Sequence, residues 1–380
     1  MNRVNFDGTI TDTSADTDHP GELHVTVASG TIANTLVTLT GNLKLVKEGA
    51  GTFTASKANQ SYTGGTEVLA GTLTLGTATH PLGDGNATQT VTVGGNGILN
   101  LATYKSESTC YYNLVLDEGA VVQAGDVGDR ETGRIASITL NGNATVKLSQ
   151  KTLFGGRSAA KACQLTFRGH TLTLLSLGDG NLGHVHVNDY GTFRLDANNS
   201  NTTCPGMYLC VFDLRGAKLE VTERAFVKFG NWAFYATDFV YGGLNKFTGG
   251  ACNKINSVYG RYVAGNYRPP FTMQDGSTLD LSKVSGAWSA AGAAIPSSHK
   301  DVTGPGMVSF ASGATVGVDL SGRTDLRELA KSATPYVVTW SSQPNATFTL
   351  DAKTAERFKL EPDGTGIKLV RRRAFTVIIR

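Results

Sequence analysis

The stretch that decides the fold runs from Gly41 to Leu101. It reads GNLKLVKEGAGTFTASKANQSYTGGTEVLAGTLTLG over 41–76 and PLGDGNATQTVTVGGNGILNL over 81–101. Apolar residues take every second position: Leu43 and Leu45, Leu73 and Leu75, Val91 and Val93. A period of two puts one set of side chains on one face, which is the signature of a strand. Each run stops at glycine: Gly49-Ala50-Gly51, Gly64-Gly65, Gly71, Gly83-Asp84-Gly85, Gly94-Gly95. Glycine turns sharply at no Cβ cost, so these positions predict corners between short strands.

The same unit returns in looser form along the chain. Asn113–Val121, Ser137–Leu148, Leu165–Leu177 and His184–Leu195 each read as strand, glycine turn, strand, as do Val211–Val221, Phe271–Leu281 and Val308–Leu320. Successive units lie roughly 20 to 50 residues apart, in the range of solenoid repeats. One unit cannot cover its own apolar face. Units stacked about 4.8 Å apart bury a continuous core and pair each other's backbone groups.

Composition agrees. Charged residues make up 17% of the chain, against about 25% in ordinary soluble domains, and glycine accounts for 46 of 380 residues. That mixture suits short strands with tight corners rather than helices. The glycines keep no three-residue period, which excludes collagen. The net charge of +3 gives no nucleic-acid footprint. The one dense basic run is Arg371-Arg372-Arg373. The five cysteines include no Cys-x-x-Cys, so no zinc ribbon or disulfide framework is implied. Cys204 and Cys210 are close enough in sequence to bridge; small buried hydrophobes are the plainer reading. The first residues, MNRVNFDGTITDTSADTDHPGE, carry no apolar signal core. No run approaches the ~18 apolar residues of a membrane helix.

The stretch Gly41–Leu101 resembles the autotransporter-associated β-strand repeat of bacterial surface passengers. The matching positions are Lys47, Gly49, Gly51, Thr52, Phe53, Thr54, Asn59, Tyr62, Thr63, Gly64, Gly65, Thr66, Ala70, Gly71, Thr72, Leu73, Leu75 and Gly76. Lys57 stands where a small residue is usual, and Gln60 is one extra residue in the loop before Tyr62. The resemblance implies a β-solenoid, an extracellular or cell-surface location, and an export signal lost from this chain or lying in a longer one. It implies no particular ligand.

Two stretches depart from the pattern. Residues 229–271 are rich in aromatics, including Trp232, Tyr235, Tyr241, Tyr259 and Tyr262, with Arg261 among them. These rings either pack over an irregular coil or present their faces to sugars, with Arg261 as a donor. Ala287–Pro305 is a second excursion, rich in small residues. Asp325–Lys331 is the one helix candidate, with Thr324 placed to cap it. From Pro335 onward the texture changes. Tyr336–Trp340, Thr347–Leu350, Phe358–Leu360 and Ile367–Val370 read as short strands, with a turn at Pro362-Asp363-Gly364. A solenoid must hide its last apolar face, so residues 335–380 read as a cap.

No catalytic constellation emerges. Inverting glycosidases need two carboxylates about 6.5–9.5 Å apart, and the candidates are Asp179, Asp189, Asp196 and Asp213. Asp189 and Asp196 sit at corners, where aspartate is favoured for its turn-making alone. His184 and His186 share one strand face, but two imidazoles without a clear third ligand do not define a metal site. Asp12, Asp16 and Asp18 lack the glycine and final glutamate of a calcium loop.

The expectation is therefore an all-β protein: a right-handed parallel β-helix over 1–334, interrupted at 229–271, and a small antiparallel cap over 335–380. The functional expectation is a non-enzymatic surface or adhesion protein contacting polysaccharide or another surface component, without cofactor or metal. The alternative is a β-helix polysaccharide lyase or hydrolase.

Overall fold

In the computed structural model, residues 3–13, 18–57, 60–76, 82–83, 89–101, 112–124, 135–148, 162–176, 181–197, 207–222, 226–229, 234–241, 244–246, 255–258, 261–263, 271–290 and 308–372 are described. The chain adopts the parallel β-solenoid expected from its sequence, closed by a small antiparallel sheet near the C-terminus. It divides into two compact units. The first holds Met1–Lys218 and Arg224–Lys228, the second Leu219–Glu223 and Phe229–Arg380.

The first unit is built on backbone register. One inward column runs Ala33, Phe53, Leu73, Leu99, Val122, Val146, Leu174 and Leu195, each paired with the next in parallel. All of these side chains are buried. A second column runs Leu45, Thr66, Val91, Leu114, Ile138, Leu165 and Val187. The corners align as well. Asp117–Ala120, Asn141–Ala144, Phe167–Thr171 and Asn188–Thr192 stack as successive turns, joined by backbone bonds such as Gly119 N to Asn143 O and Gly169 N to Tyr190 O.

The third column contains a charge. Val25, Lys47, Val68, Val93, Leu116 and Leu140 occupy one register position. Lys47 is fully buried in it. Its Nζ donates to the carbonyls of Glu48 at 2.6 Å, Gly49 at 2.8 Å and Ala70 at 2.9 Å. The corner that carries these carbonyls is tight. Gly71 has φ +69°, and a Cβ there would lie 2.4 Å from Gly49 O and 2.5 Å from Gly51 O. The lysine and glycines of the repeat are thus one device: glycines bring two coils together, and the ammonium supplies the donors that the exposed acceptors need. Other buried polar groups near this corner are also paired. The Tyr62 hydroxyl lies 2.6 Å from Thr66 Oγ1. Gln60 accepts from Leu39 N at 2.5 Å and donates to Val37 O at 3.1 Å.

The second unit continues the parallel pairing. Phe239, Tyr262, Leu279, Val318 and Leu350 share one register position. The C-terminal sheet pairs Tyr336–Thr339 and Phe358–Pro362 antiparallel to Gly366–Arg371. Val337, Val338, Ile367 and Leu369 fill its interior. Thr347–Leu350 does not join that sheet; it pairs in parallel with Thr315–Asp319. The turn expected at Pro362-Asp363-Gly364 is held by the Asp363 carboxylate. It accepts from Lys368 Nζ, Thr365 N, Gly366 N and the Tyr336 hydroxyl at 2.8–3.0 Å. Lys368 foremost, then these donors, hold that carboxyl well below the usual range.

The helix expected over Asp325–Lys331 is a single turn, Leu326–Leu329. Asp325, not Thr324, holds the N-cap position, and its side chain makes no capping bond. The carboxylate is engaged instead by Arg323 and by Gly286 N. A second turn, Ala352–Ala355, is properly capped by Asp351 through Thr354 N. Of the cysteines, Cys163 is buried with a free thiol, and burial pushes its pKa up. Cys204, Cys210 and Ala287–Pro305 beyond Ala290 fall outside the described side chains.

Two outcomes test this corner. Gly71→Ala should cost about 2–4 kcal/mol, combining a positive φ with a backbone clash. Gly30→Ala has a similar φ of +72° but open space around its Cβ, and should cost only about 1–2 kcal/mol. Equal losses in the denaturant midpoint would contradict the close approach. Burial lowers the Lys47 ammonium to about 8, while a solvated lysine titrates near 10.4. Between those values the unfolded chain holds more protons than the folded one, so stability rises with pH there. Lys47→Met should destabilise by about 2–4 kcal/mol at pH 7 by stranding three acceptors. The gap between wild type and variant should widen from pH 8 to pH 10; a gap that stays flat over that range would show the ammonium is not buried as described.

Candidate functional site

Trp232 and Tyr259 lie outside the described residues. Tyr235 and Tyr241 belong to the strand Phe234–Tyr241, and Arg261 and Tyr262 to Arg261–Val263; their side chains are likewise outside the description. The backbone register is defined. Arg261 pairs with Asp238 and Thr278, and Tyr262 with Phe239 and Leu279.

Of the carboxylates considered for glycoside cleavage, Asp189 is committed to a corner. Its two oxygens accept from Phe167 N at 2.5 Å and Arg168 N at 2.7 Å. That bond pair supports Arg168, the one non-glycine residue with positive φ among those described, at 50°. Asp196 is buried on the neighbouring strand Thr192–Ala197. Asp179 and the side chains of Asp213 and His184 lie outside the description. Asp12 accepts from Gly21 N at 2.9 Å and so also serves a turn. Among the described residues no group of three His, Cys, Asp or Glu is placed to hold a metal. No helix there is long and apolar enough to cross a membrane.

The repeat residues singled out in sequence sort by position. Leu73 and Leu75 are core, Tyr62 and Thr66 form a buried hydroxyl pair, and Gly49, Gly51 and Gly71 build one corner. Gly64 and Gly65 build the next, where a Cβ on Gly64 would lie 2.8 Å from Leu43 O. Thr52 pairs with Ile32 and Thr72 on the outward side of its strand. None of these is arranged for chemistry.

What remains is surface. Because inner side chains alternate with outer ones, the register that stacks leucines also aligns polar rows outside. One row runs Thr90, Asn113, Ser137, Gln164 and His186. Beside it, two positions along each strand, stand Thr92, Val115, Thr139 and Thr166. Neighbouring rungs bond to each other: Ser137 Oγ donates to Asn113 Oδ1 at 2.7 Å, and Asn188 Nδ2 to Thr166 Oγ1 at 3.2 Å. The result is a sheet face of hydroxyls and amides at strand spacing, about 4.8 Å apart.

Nearer the N-terminus the outer face is charged. His24 Nδ1 lies 3.1 Å from Glu48, and Nε2 lies 3.0 Å from Glu22. Lys44 continues the chain to Glu22 at 3.3 Å and Glu67 at 2.6 Å. Glu48, then Glu22, raise the His24 pKa, while His24 and Lys44 lower that of Glu22. Sequence reading passed over this ladder, although Glu22-x-His24 and Lys44 through Glu48 carry the period-two signal. As an exposed network it contributes little to stability. Behind it, Leu23, Val27, Ala33, Val37, Leu39 and Phe53 surround a cavity of about 360 Å³. Its lining is apolar and offers few polar groups to orient a ligand.

Compared with models of known protein families, with curated proteins and with solved structures, the chain gives no match.

Proposed function

We propose that this chain is a non-enzymatic, extracellular or cell-surface protein of passenger type, acting through contact rather than catalysis, with polysaccharide as the partner class. The observation that carries the reading is the outer face around Asn113, Ser137, Thr139, Gln164 and Thr166. It offers donors and acceptors at regular spacing on a backbone fixed by parallel pairing. A ligand with repeated hydroxyls meets such a face at several points without requiring it to reorganise, and that lowers the entropic cost of binding. The Gly41–Leu101 resemblance supports the location, and the use of Asp189 and Asp12 as turn anchors supports a non-catalytic role.

The test is retention on a panel of insoluble and immobilised polysaccharides, with product analysis alongside. One polymer class should retain the chain without releasing shortened or unsaturated products. A combined Ser137→Ala, Thr139→Ala, Gln164→Ala and Thr166→Ala variant should lose about tenfold or more in affinity through four missing polar contacts. These four side chains are half-buried, and Ser137 and Thr166 each lose a bond to the next rung, so stability should fall by about 1–3 kcal/mol in total while the variant stays folded. Robust turnover of any polymer sinks the proposal, as does retention that the four substitutions leave intact.

A further inference from the structure

The second unit contains an unusual arginine. The Arg323 side chain is completely buried, yet it follows a surface turn between Leu320 and the Leu326–Leu329 helix. Two of its three nitrogens are accounted for. Nε donates to Asp325 Oδ1 at 2.8 Å and Nη2 to Asp325 Oδ2 at 2.5 Å. Nη1 is buried and has no hydrogen-bond partner. The guanidinium is enclosed by protein, and Arg323 reaches the surface through its backbone alone.

Arg323 lines a depression of about 340 Å³. That volume lies within the ~300–1,000 Å³ of small-ligand sites. Its walls come from two segments far apart in sequence: Leu320–Arg327, and Lys353–Phe358 around the second helical turn. Those segments bring Arg327, Lys353 and Arg357 to the same depression. All three are exposed, and none makes an ion pair among the described residues. Ser321, Thr324 and Thr354 add hydroxyls.

The acidic groups nearby do not neutralise this set. Asp325 is occupied by Arg323. Asp351 is occupied by Leu320 N and by Thr354 N, at 3.0 Å each. Glu356 is the one carboxylate that lines the depression itself. Three unpaired cations, Arg327, Lys353 and Arg357, against one lining carboxylate make this an anion site by composition. The basic residues stand four apart in each segment, Arg323 with Arg327 and Lys353 with Arg357. Neither pair signals anything alone, because the fold is what joins them.

We propose that this depression binds a tetrahedral oxyanion, a sulfate or phosphate group, held by the exposed cations Arg327, Lys353 and Arg357 with the hydroxyls of Ser321 and Thr324 beside them. Arginine suits the task because its planar fork makes charge-assisted, directional bonds to such oxygens. Arg323 stands behind the site, with its fork held by Asp325. The oxyanion belongs either to a free ion or to a sulfated or phosphorylated polymer. The site lies in the second unit, and it does not depend on the role proposed for the polar face of the first.

The experiment uses the full chain and titrates inorganic sulfate and phosphate at constant ionic strength, read by calorimetry and by the thermal midpoint. Both anions should give saturable heats and raise the midpoint, and chloride should not. Arg327→Gln with Arg357→Gln, both at exposed positions, should leave the fold intact and weaken sulfate binding about tenfold or more. Lys353→Gln, also at an exposed position, should weaken binding further when added to that pair. Dextran sulfate and a phosphorylated polymer form the second arm. Retention displaced by inorganic sulfate identifies a polymer as the source, and binding of the free ions alone identifies a small anion; either outcome supports the site. A response to sulfate and phosphate no larger than that to chloride overturns the proposal. So does an affinity that the paired rim substitutions do not change.

Discussion

Parallel pairing in register is the constraint from which the rest of this structure follows. Each strand must lie directly on the one before it, so each inner side chain meets its counterpart in the next coil. The column from Ala33 through Leu195 shows how far this extends in the first unit. Core composition is then decided column by column. A polar residue in a column is tolerated only where its own coil or the next supplies a partner. Thr66 is admitted because Tyr62 lies below it, and Lys47 because a tight glycine corner points carbonyls at it. The tightness of that corner and the presence of the lysine are two sides of one requirement. Without the glycines the coils would separate, and without the ammonium the acceptors would face an apolar interior.

The same constraint explains what the sequence made legible. Alternation and glycine punctuation in Leu43–Leu75 and Thr90–Leu99 translate directly into strands and corners, because both signals are local. The C-terminal strands were readable for the same reason. Partners distant in sequence were not. Thr347–Leu350 looks like its neighbours in the antiparallel sheet, yet it pairs with Thr315–Asp319, and nothing within its four residues distinguishes the two fates. The Asp325 helix was overstated because the local capping logic ignored Arg323, which draws the carboxylate away from the helix end. Lys47 was visible as part of a motif, but its burial depended on Ala70, a full coil later.

Functional groups follow a similar division. The outer polar rows could have been foreseen from the alternation that predicts the inner ones, once the register was known. The basic depression in the second unit could not. Its two halves are separated by two strands, Tyr336–Thr339 and Thr347–Leu350, and each half reads as ordinary surface charge. Aspartates show the converse. Asp189 stood out as a possible acid and Asp12 as a possible metal ligand, and the structure employs both, like Asp351 and Asp363, to hold backbone amides at bends. In a fold made of corners, backbone donors outside the ladders are numerous, and short carboxylates are the natural acceptors.

Gln60 carries a broader consequence. Its side-chain amide bonds to Leu39 N and Val37 O, the groups that a neighbouring strand would have engaged. An amide side chain has one donor and one acceptor face, as a peptide group does, so it substitutes for a missing rung. Where this occurs, the main chain is released from the ladder for a few residues while the ladder itself stays closed. A coil of this kind can gain or lose residues in its loop without shifting the coils on either side. Glutamine at such a gap therefore acts as a splice, and it gives a repeating fold a route to vary the length of one repeat while conserving the register of all the others.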